Sequence, residues 1–179
     1  MAARVTGDAP AYRRGIPSDP GPAAEAGGNL KRYLLGTNIV SDLIRNPTGQ
    51  VMERIRDVGE SQVCTSIIVA AEIRYGAEKR RSSRLKAQVE AVLHRIEVMP
   101  FEAPAAAVYA ILRTRLERAG QPIGSNDLLI AAHAVTLDCT IVTANEREFG
   151  RVEGLQCENW LRISQHLIQQ RALDLGDPR

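Results

Sequence analysis

Short apolar runs alternate with longer helical patterns through most of the chain, beginning near Leu30. The apolar runs have the length and composition of short strands and lie near residues 33–35, 62–65, 96–101, 140–143 and 155–160. The helical patterns repeat apolar residues every three or four positions and start near Thr37, Thr48, Ser66, Lys79, Pro104, Ser125 and Leu161. Strands that alternate with helices are typical of a parallel sheet covered by helices. The pattern therefore predicts an α/β fold.

Local signals predict where these helices begin and end. The first helix should end before Pro47, because proline disfavours helical backbone in the residue that precedes it. Ser66 and Ser125 are predicted N-caps, and Gly76 and Gly120 are predicted to end their helices. The helix after Ser125 is apolar nearly all round, so we expect it to be buried between neighbouring elements.

Residues 1–29 differ from the rest of the chain. Prolines and glycines recur there among small residues without a helical or strand period. This composition predicts a disordered extension, either a functional tail or the product of a start codon placed too far upstream. Residues 30–179 then form a single domain with a C-terminal helix.

Composition narrows the class of protein only a little. The apolar content of 44% in 179 residues is enough for one globular core, and a formal net charge of +2 permits a polyanionic partner without requiring one. Cys64, Cys139 and Cys157 lie in apolar runs without a CxxC spacing, which favours reduced thiols and a cytoplasmic location. No apolar run approaches the ~20 residues that a membrane span needs.

Acidic residues follow several of the predicted strands or lie on the adjoining helices. Each has an ordinary explanation: Asp127 can complement a helix dipole, Glu72 can form a salt bridge, and Glu146 and Glu148 can start a solvated helix. Taken together, they are expected to converge on one cleft, because parallel strands end at the same edge of a sheet. Converging carboxylates repel one another unless a divalent cation lies between them. The cluster therefore suggests Mg²⁺-assisted hydrolysis of nucleic acid.

The turn after the first strand is the most informative position. It carries Gly36, followed by Thr37 and Asn38, at the point where a central strand ends. A carboxylate at position 36 could hold a metal ion, whereas a glycine has no side chain with which to do so.

Four ordered blocks resemble the signatures of PIN-domain ribonuclease toxins of the VapC type: YLLGTNIVS at residues 33–41, AEIRYG at 71–76, IGSNDLLIAAHA at 123–134 and IVTANEREF at 141–149. The resemblance covers about residues 30–160. It implies a three-layer α/β/α fold with a central, mostly parallel sheet of about four to five strands. It also implies a dimeric endoribonuclease that depends on Mg²⁺ or Mn²⁺ and is neutralised by a cognate VapB-type antitoxin. Some relatives cleave initiator tRNA, but these residues do not select an RNA target.

Carried over residue by residue, the resemblance assigns Asp127 and Glu72 to two of the family's acids, with Asp127 the more direct metal ligand. Many relatives have aspartate where this chain has Asn145, so Glu148 is expected to serve as the fourth acid, with Glu146 as the second choice. Thr37 and Thr143 match positions whose hydroxyl groups orient the acids.

Gly36 is the clear departure, since the family has its first metal-binding aspartate there. We therefore expect weak metal binding and little cleavage. Two hypotheses remain open: a weakened ribonuclease toxin, or an inert PIN domain that binds antitoxin or RNA. A non-nuclease α/β domain is a third.

The sequence also predicts the roles of two surface regions. Residues 47–80 are predicted to supply the helices of a two-fold dimer interface. A basic stretch is interpreted first as a solvated face, with RNA contact as the alternative: Lys79, Arg80, Arg81, Arg84 and Lys86.

Overall fold

The computed structural model describes residues 31–162. The predicted extension over residues 1–29 and nearly all of the predicted C-terminal helix lie outside this range. Within it, five strands and seven α-helices alternate along the chain.

The strands are β1 (Arg32–Leu35), β2 (Val63–Ser66), β3 (Glu97–Met99), β4 (Cys139–Val142) and β5 (Cys157–Glu158). The helices are α1 (Thr37–Arg45), α2 (Gln50–Val58), α3 (Ile67–Lys79), α4 (Ser83–Leu93), α5 (Ala103–Arg118), α6 (Ser125–Thr136) and α7 (Glu146–Phe149). A 3-10 turn at Glu60–Gln62 leads into β2.

All five strands are parallel and lie in the order β3-β2-β1-β4-β5. This confirms the predicted α/β fold, including the short edge strand at the end of the described range. The central strand β1 pairs with both neighbours, so that Leu35 lies level with Thr65 on one side and Val142 on the other. The carboxyl ends of β1, β2 and β4 therefore reach the same edge of the sheet.

The predicted caps are partly correct. Ser66 is the N-cap of α3, and its hydroxyl accepts a hydrogen bond from the Ile68 N–H at 3.1 Å. Ser125 is not a cap: Gly124 is the N-cap of α6, and its carbonyl accepts from the Leu128 N–H at 2.8 Å. Gly76 does not end α3, which continues to Lys79. A glycine inside a helix costs only about 1 kcal/mol relative to alanine, so the flanking turns can carry the helix through it.

Helix α6 is the buried helix that its sequence predicts. Its apolar residues Ile130, Ala131, Ala132 and Ala134 are buried, and it packs most extensively against α5. The three cysteines are free thiols, as predicted, with Cys64 and Cys139 buried. Among the described residues, no helix has both the length and the apolar content needed to cross a membrane.

Candidate active site

The carboxyl edge of the sheet brings the predicted acids together. Asp127 lies in the first turn of α6 and Glu148 lies in α7, which follows β4. Glu72 lies in the middle of α3, which follows β2. Gly36 and Thr143 directly follow β1 and β4.

Asp127 and Glu148 form the centre of the cluster. The side-chain amide of Asn145 donates to Asp127 Oδ2 at 2.9 Å, and the N–H of Gly124 donates to Glu148 Oε2 at 2.9 Å. These two carboxylate oxygens lie 3.7 and 3.6 Å from the point where a Cβ of Gly124 would stand. The two acids are therefore close neighbours beside the start of α6.

Their pKa values move in opposite directions. Burial, followed by the nearby charge of Glu148, raises the pKa of Asp127 to about 6. The backbone N–H of Gly124 is the main reason that the pKa of Glu148 is lowered. The charge of Glu72 adds a smaller contribution to the raised pKa of Asp127. Three acids thus act electrostatically on one site, because neighbouring carboxylates repel one another.

Glu72 is held by hydrogen bonds rather than by the salt bridge that was its ordinary explanation. Its Oε1 accepts from the Asn126 side chain at 2.6 Å, and its Oε2 accepts from the Thr37 hydroxyl. Asn126 is next to Asp127 in α6, so the first of these bonds joins the two helices that carry the acids. No arginine in residues 31–162 forms an ion pair with Glu72.

Thr143 is buried beneath the cluster. Its hydroxyl oxygen accepts from the Asn38 side chain at 3.2 Å and from the Asn145 N–H at 3.0 Å. Asn38 also accepts from the Ala144 N–H at 3.1 Å, which fastens the start of α1 to the segment after β4. Thr143 therefore orders Asn145, which in turn contacts Asp127.

Position 36 lies against this network. A Cβ on Gly36 would stand 3.5 Å from Thr143 Cβ and 3.6 Å from its hydroxyl oxygen. The backbone of Gly36, with φ −78° and ψ 170°, is open to any residue, so the turn does not require glycine. A side chain at this position would begin next to Thr143 and would have to share space with the Val142 carbonyl oxygen at 3.1 Å.

The structure separates the two candidates for the fourth acid. Glu148 reaches Asp127, whereas Glu146 pairs with Arg162 at 2.8 Å and accepts from Asn159 at 3.3 Å. Sequence reasoning missed Gly124, Asn38 and Asn126 as members of the site. All three lie inside the motifs quoted above, and that location could have indicated that they belong to the site.

The donor set is short for a metal centre. Among residues 31–162, no three His, Cys, Asp or Glu side chains are grouped closely enough to hold a metal ion. The Asp127–Glu148 pair offers hard anionic oxygens, which suit Mg²⁺, an ion that binds proteins through one or two carboxylates and keeps several waters. The residues present therefore offer the type of ligand that Mg²⁺ prefers, but they supply fewer charged ligands than a site with three acids.

Comparisons with known proteins identify the family. The PIN domain model matches residues 33–155, a span that includes every residue of the cluster. The tRNA(fMet)-specific endonuclease VapC of Shigella flexneri is 38% identical over 132 residues, which are 73% of this chain and 99% of that protein. Ribonuclease VapC2 of Rickettsia felis is 36% identical over 130 residues, 72% of this chain and 97% of the relative. The chain is a VapC-type PIN domain.

Solved structures agree with this assignment. VapBC2 from Rickettsia felis, bound to a DNA fragment from its promoter, matches with a TM-score of 0.67 and 37% identity, covering 72% of this chain and 98% of that one. DNA-bound VapBC from Salmonella typhimurium matches with a TM-score of 0.67 and 36% identity, covering 73% and 98%. The resemblance to VapC toxins and the predicted PIN fold are confirmed. PIN-domain ribonucleases generally depend on divalent metal ions.

The raised pKa of Asp127 leads to a stability prediction for this PIN domain. Above pH 6 the folded chain holds a carboxylate that its surroundings disfavour, so Asp127→Asn should stabilise the fold. Discounted for the partial exposure of the side chain, the gain should be about 1 kcal/mol at pH 8. Urea denaturation measures it.

The gain should shrink as the pH falls through about 6 towards 3.8, because the parent carboxyl then becomes protonated in the folded state. Asp138→Asn, the same substitution at an exposed position, is the matched control. A gain that is independent of pH would contradict the assignment.

Proposed function

We propose that this chain is the toxin of a VapBC toxin–antitoxin pair, built as a metal-dependent endoribonuclease and weakened at its metal site by Gly36. One observation carries the proposal. Asp127, Glu148 and Glu72 converge at the carboxyl edge of the sheet, and Asn145 connects Asp127 to Thr143, whose hydroxyl oxygen lies 3.6 Å from the point where a Cβ of Gly36 would stand. This arrangement supports the proposal that Asp127, Glu148 and Glu72 are the acids of a PIN ribonuclease site from which the acid at position 36 is missing.

The residues have distinct roles in this proposal. Asp127 and Glu148 would hold Mg²⁺ or Mn²⁺, which when bound supplies an activated water and neutralises charge on a phosphodiester. Glu72 lies at the side of the pair and is kept in orientation by Asn126 and Thr37. Asn145 and Thr143 orient Asp127 through their hydrogen bonds.

The proposed partners follow from the relatives. Their names describe a tRNA(fMet)-specific endonuclease and complexes of VapB with VapC. For this chain we propose an RNA substrate, with tRNA as the first candidate, a VapB-type antitoxin and a cytoplasmic location.

An inert PIN domain that binds antitoxin or RNA is the second candidate function. The observation that favours it is the shortage of charged ligands, since no group of three possible ligands exists among residues 31–162. Both candidate functions have the same fold, so only a measurement of RNA cleavage distinguishes them.

Cleavage of tRNA by the purified chain over a titration of Mg²⁺ and Mn²⁺ tests the proposal. We expect slow cleavage that increases with metal concentration and disappears in Asp127→Ala. Cleavage that survives Asp127→Ala would contradict the assigned site. No cleavage at any metal concentration would favour the inert binding domain.

We also propose that the chain forms a homodimer through α3, within the predicted range 47–80. Ile67 and Tyr75, two of the large apolar side chains exposed in the described part of the chain, lie on this helix, and Tyr75 is 67% exposed. An isologous interface uses the same surface patch on both subunits, so one substitution acts twice.

Tyr75→Glu should therefore convert the dimer to monomer at micromolar concentration, as measured by sedimentation equilibrium. Ile111→Glu is the matched control, because Ile111 is an exposed apolar residue on α5. It should leave the dimer intact. A monomeric parent chain at that concentration, or dissociation by the control alone, would refute the α3 interface.

A further inference from the structure

The turn between α3 and α4 concentrates positive charge on one small surface. Of the six charged residues between positions 78 and 86, five are basic, although the whole chain has a formal net charge of only +2. We define the basic elbow as four exposed residues that surround this turn: Lys79, Arg80, Arg81 and Arg84.

Charged side chains next to the basic elbow form ion pairs, whereas the cations of the elbow form none within residues 31–162. Lys86 pairs with Glu78 at 2.5 Å, and Arg74 pairs with Glu90 at 2.8 Å. By contrast, none of the four elbow residues forms an ion pair with any residue from 31 to 162. Their charges are therefore available to a partner.

The backbone of the elbow is well ordered by hydrogen bonds. The Arg81 N–H donates to the Glu78 carbonyl at 3.0 Å, and the Ser82 hydroxyl caps α4 by accepting from the Leu85 N–H at 3.2 Å. Arg81 itself has φ 50°, a left-handed conformation that is uncommon for a residue with a side chain. The cations thus extend from a fixed turn rather than from a long loop.

The elbow is connected to the candidate active site. A groove of about 290 Å³ between α1, α3 and α4 is lined by Arg45, Arg80, Thr37 and Glu72 and by apolar side chains, among them Ile44, Ile73, Leu85 and Val89. Arg80 belongs to the basic elbow and Glu72 to the acidic cluster, so both line the same groove. Guanidinium groups bind phosphate oxygens in a bidentate way, and a row of them suits a phosphodiester backbone.

We propose that the basic elbow binds the phosphates of RNA and directs the strand along this groove to the acidic cluster. This inference rests on the proposed function. RNA is favoured as the partner of the elbow itself because its four side chains are all cations, whereas the apolar side chains lie in the groove; an acidic protein partner is one outcome of the test.

The test is RNA binding without cleavage. Fluorescence anisotropy with a labelled single-stranded oligouridylate, in EDTA, would compare the parent with the triple variant Arg80→Gln, Arg81→Gln, Arg84→Gln. The matched control is Arg56→Gln, Arg115→Gln, Arg118→Gln, which removes the same charge from exposed arginines on α2 and α5. Circular dichroism would check that each variant is folded.

At low salt we expect the elbow triple variant to weaken RNA binding at least about tenfold and to lower the slope of log affinity against log salt by about 2. The control should change affinity less than about twofold. Equal losses in both triple variants, or no loss in the elbow variant, would overturn the proposal. Unchanged RNA binding with lost binding of poly-glutamate would also overturn it, in favour of an acidic protein partner.

The outcome is separate from that of the proposed function. Suppose that the elbow variant loses RNA binding while the variant Gly36→Asp, which restores an acid at position 36, still fails to cleave RNA. The proposed role of the elbow is then supported and the nuclease assignment is wrong. If Gly36→Asp cleaves RNA but the elbow variant binds RNA normally, the nuclease assignment is supported and the proposed role of the elbow is wrong.

Discussion

Replacing Gly36 by aspartate should raise the rate of metal-dependent RNA cleavage by roughly 100- to 1,000-fold. The new Cβ would stand 3.6 Å from the Thr143 hydroxyl oxygen, at the carboxyl edge of the sheet where Asp127 and Glu148 meet. It would add a third anionic ligand to a pair, and Mg²⁺ depends on such oxygens to bind in place of some of its waters. Metal occupancy, and with it the supply of activated water, should rise accordingly.

The fold should accept this change. The backbone at position 36 is extended, with φ −78°, and aspartate is a favourable residue at the N-cap position that Gly36 occupies in α1. The one close contact is with the Val142 carbonyl oxygen, 3.1 Å from the new Cβ, which requires a shift of a few tenths of an ångström. The cap and the contact are both small effects, so apart from repulsion by the neighbouring acids the free energy of unfolding should change by less than about 1 kcal/mol.

Three controls separate metal binding from other effects of the substitution. Gly36→Asn has nearly the same shape without the charge and should remain slow. Gly36→Asp combined with Asp127→Ala should be inactive. Expression without antitoxin should arrest growth only for the single variant Gly36→Asp. Equal cleavage by the parent and by Gly36→Asp would mean that position 36 does not contribute to the metal site.

The parts of the site that follow from strand position were predictable. Gly36 and Thr143 could be placed together because each follows an apolar run, and parallel strands end at one edge. Their neighbours were less predictable. Glu72 meets Asn126 across 54 positions of sequence, a contact that depends on how α3 and α6 pack rather than on any local pattern.

The family resemblance ranked Glu148 above Glu146, but no local pattern in the sequence decides between them. The two are two residues apart in the short helix α7, and only the direction of that helix decides which one faces Asp127. The bond from the Gly124 N–H to Glu148 then holds Glu148 in place. Two helix boundaries were predicted wrongly, since α3 continues past Gly76 to Lys79 and Gly124 rather than Ser125 is the N-cap of α6.

A buried polar pair beneath the acids leads to the second large prediction. Ser66 and His133 are both buried, and Ser66 Oγ lies 2.8 Å from His133 Nδ1. Because Ser66 Oγ already accepts from the Ile68 N–H, its own proton can be donated to the ring nitrogen. The pair links the start of α3, which carries Glu72, to the last turn of α6, which carries Asp127 in its first turn.

Ser66→Ala should lower the free energy of unfolding by about 2–4 kcal/mol, the sum of a lost N-cap and a buried ring nitrogen left without a donor. Ser82→Ala is the matched control, because Ser82 caps α4 through the Leu85 N–H but has no second buried partner. It should cost about 1 kcal/mol. Urea denaturation of both variants would therefore isolate the contribution of the bond to His133.

The pH dependence of this difference provides an independent check. Burial lowers the pKa of His133, so the folded state favours the neutral ring and loses stability as the pH falls below its unfolded value of about 6.5. A protonated ring cannot accept the Ser66 proton, so the gap between the parent and Ser66→Ala should be constant above that pH and narrow below it. Equal costs for Ser66→Ala and Ser82→Ala at pH 8 would show that Ser66 acts only as a helix cap and that α3 and α6 are held together by apolar packing alone.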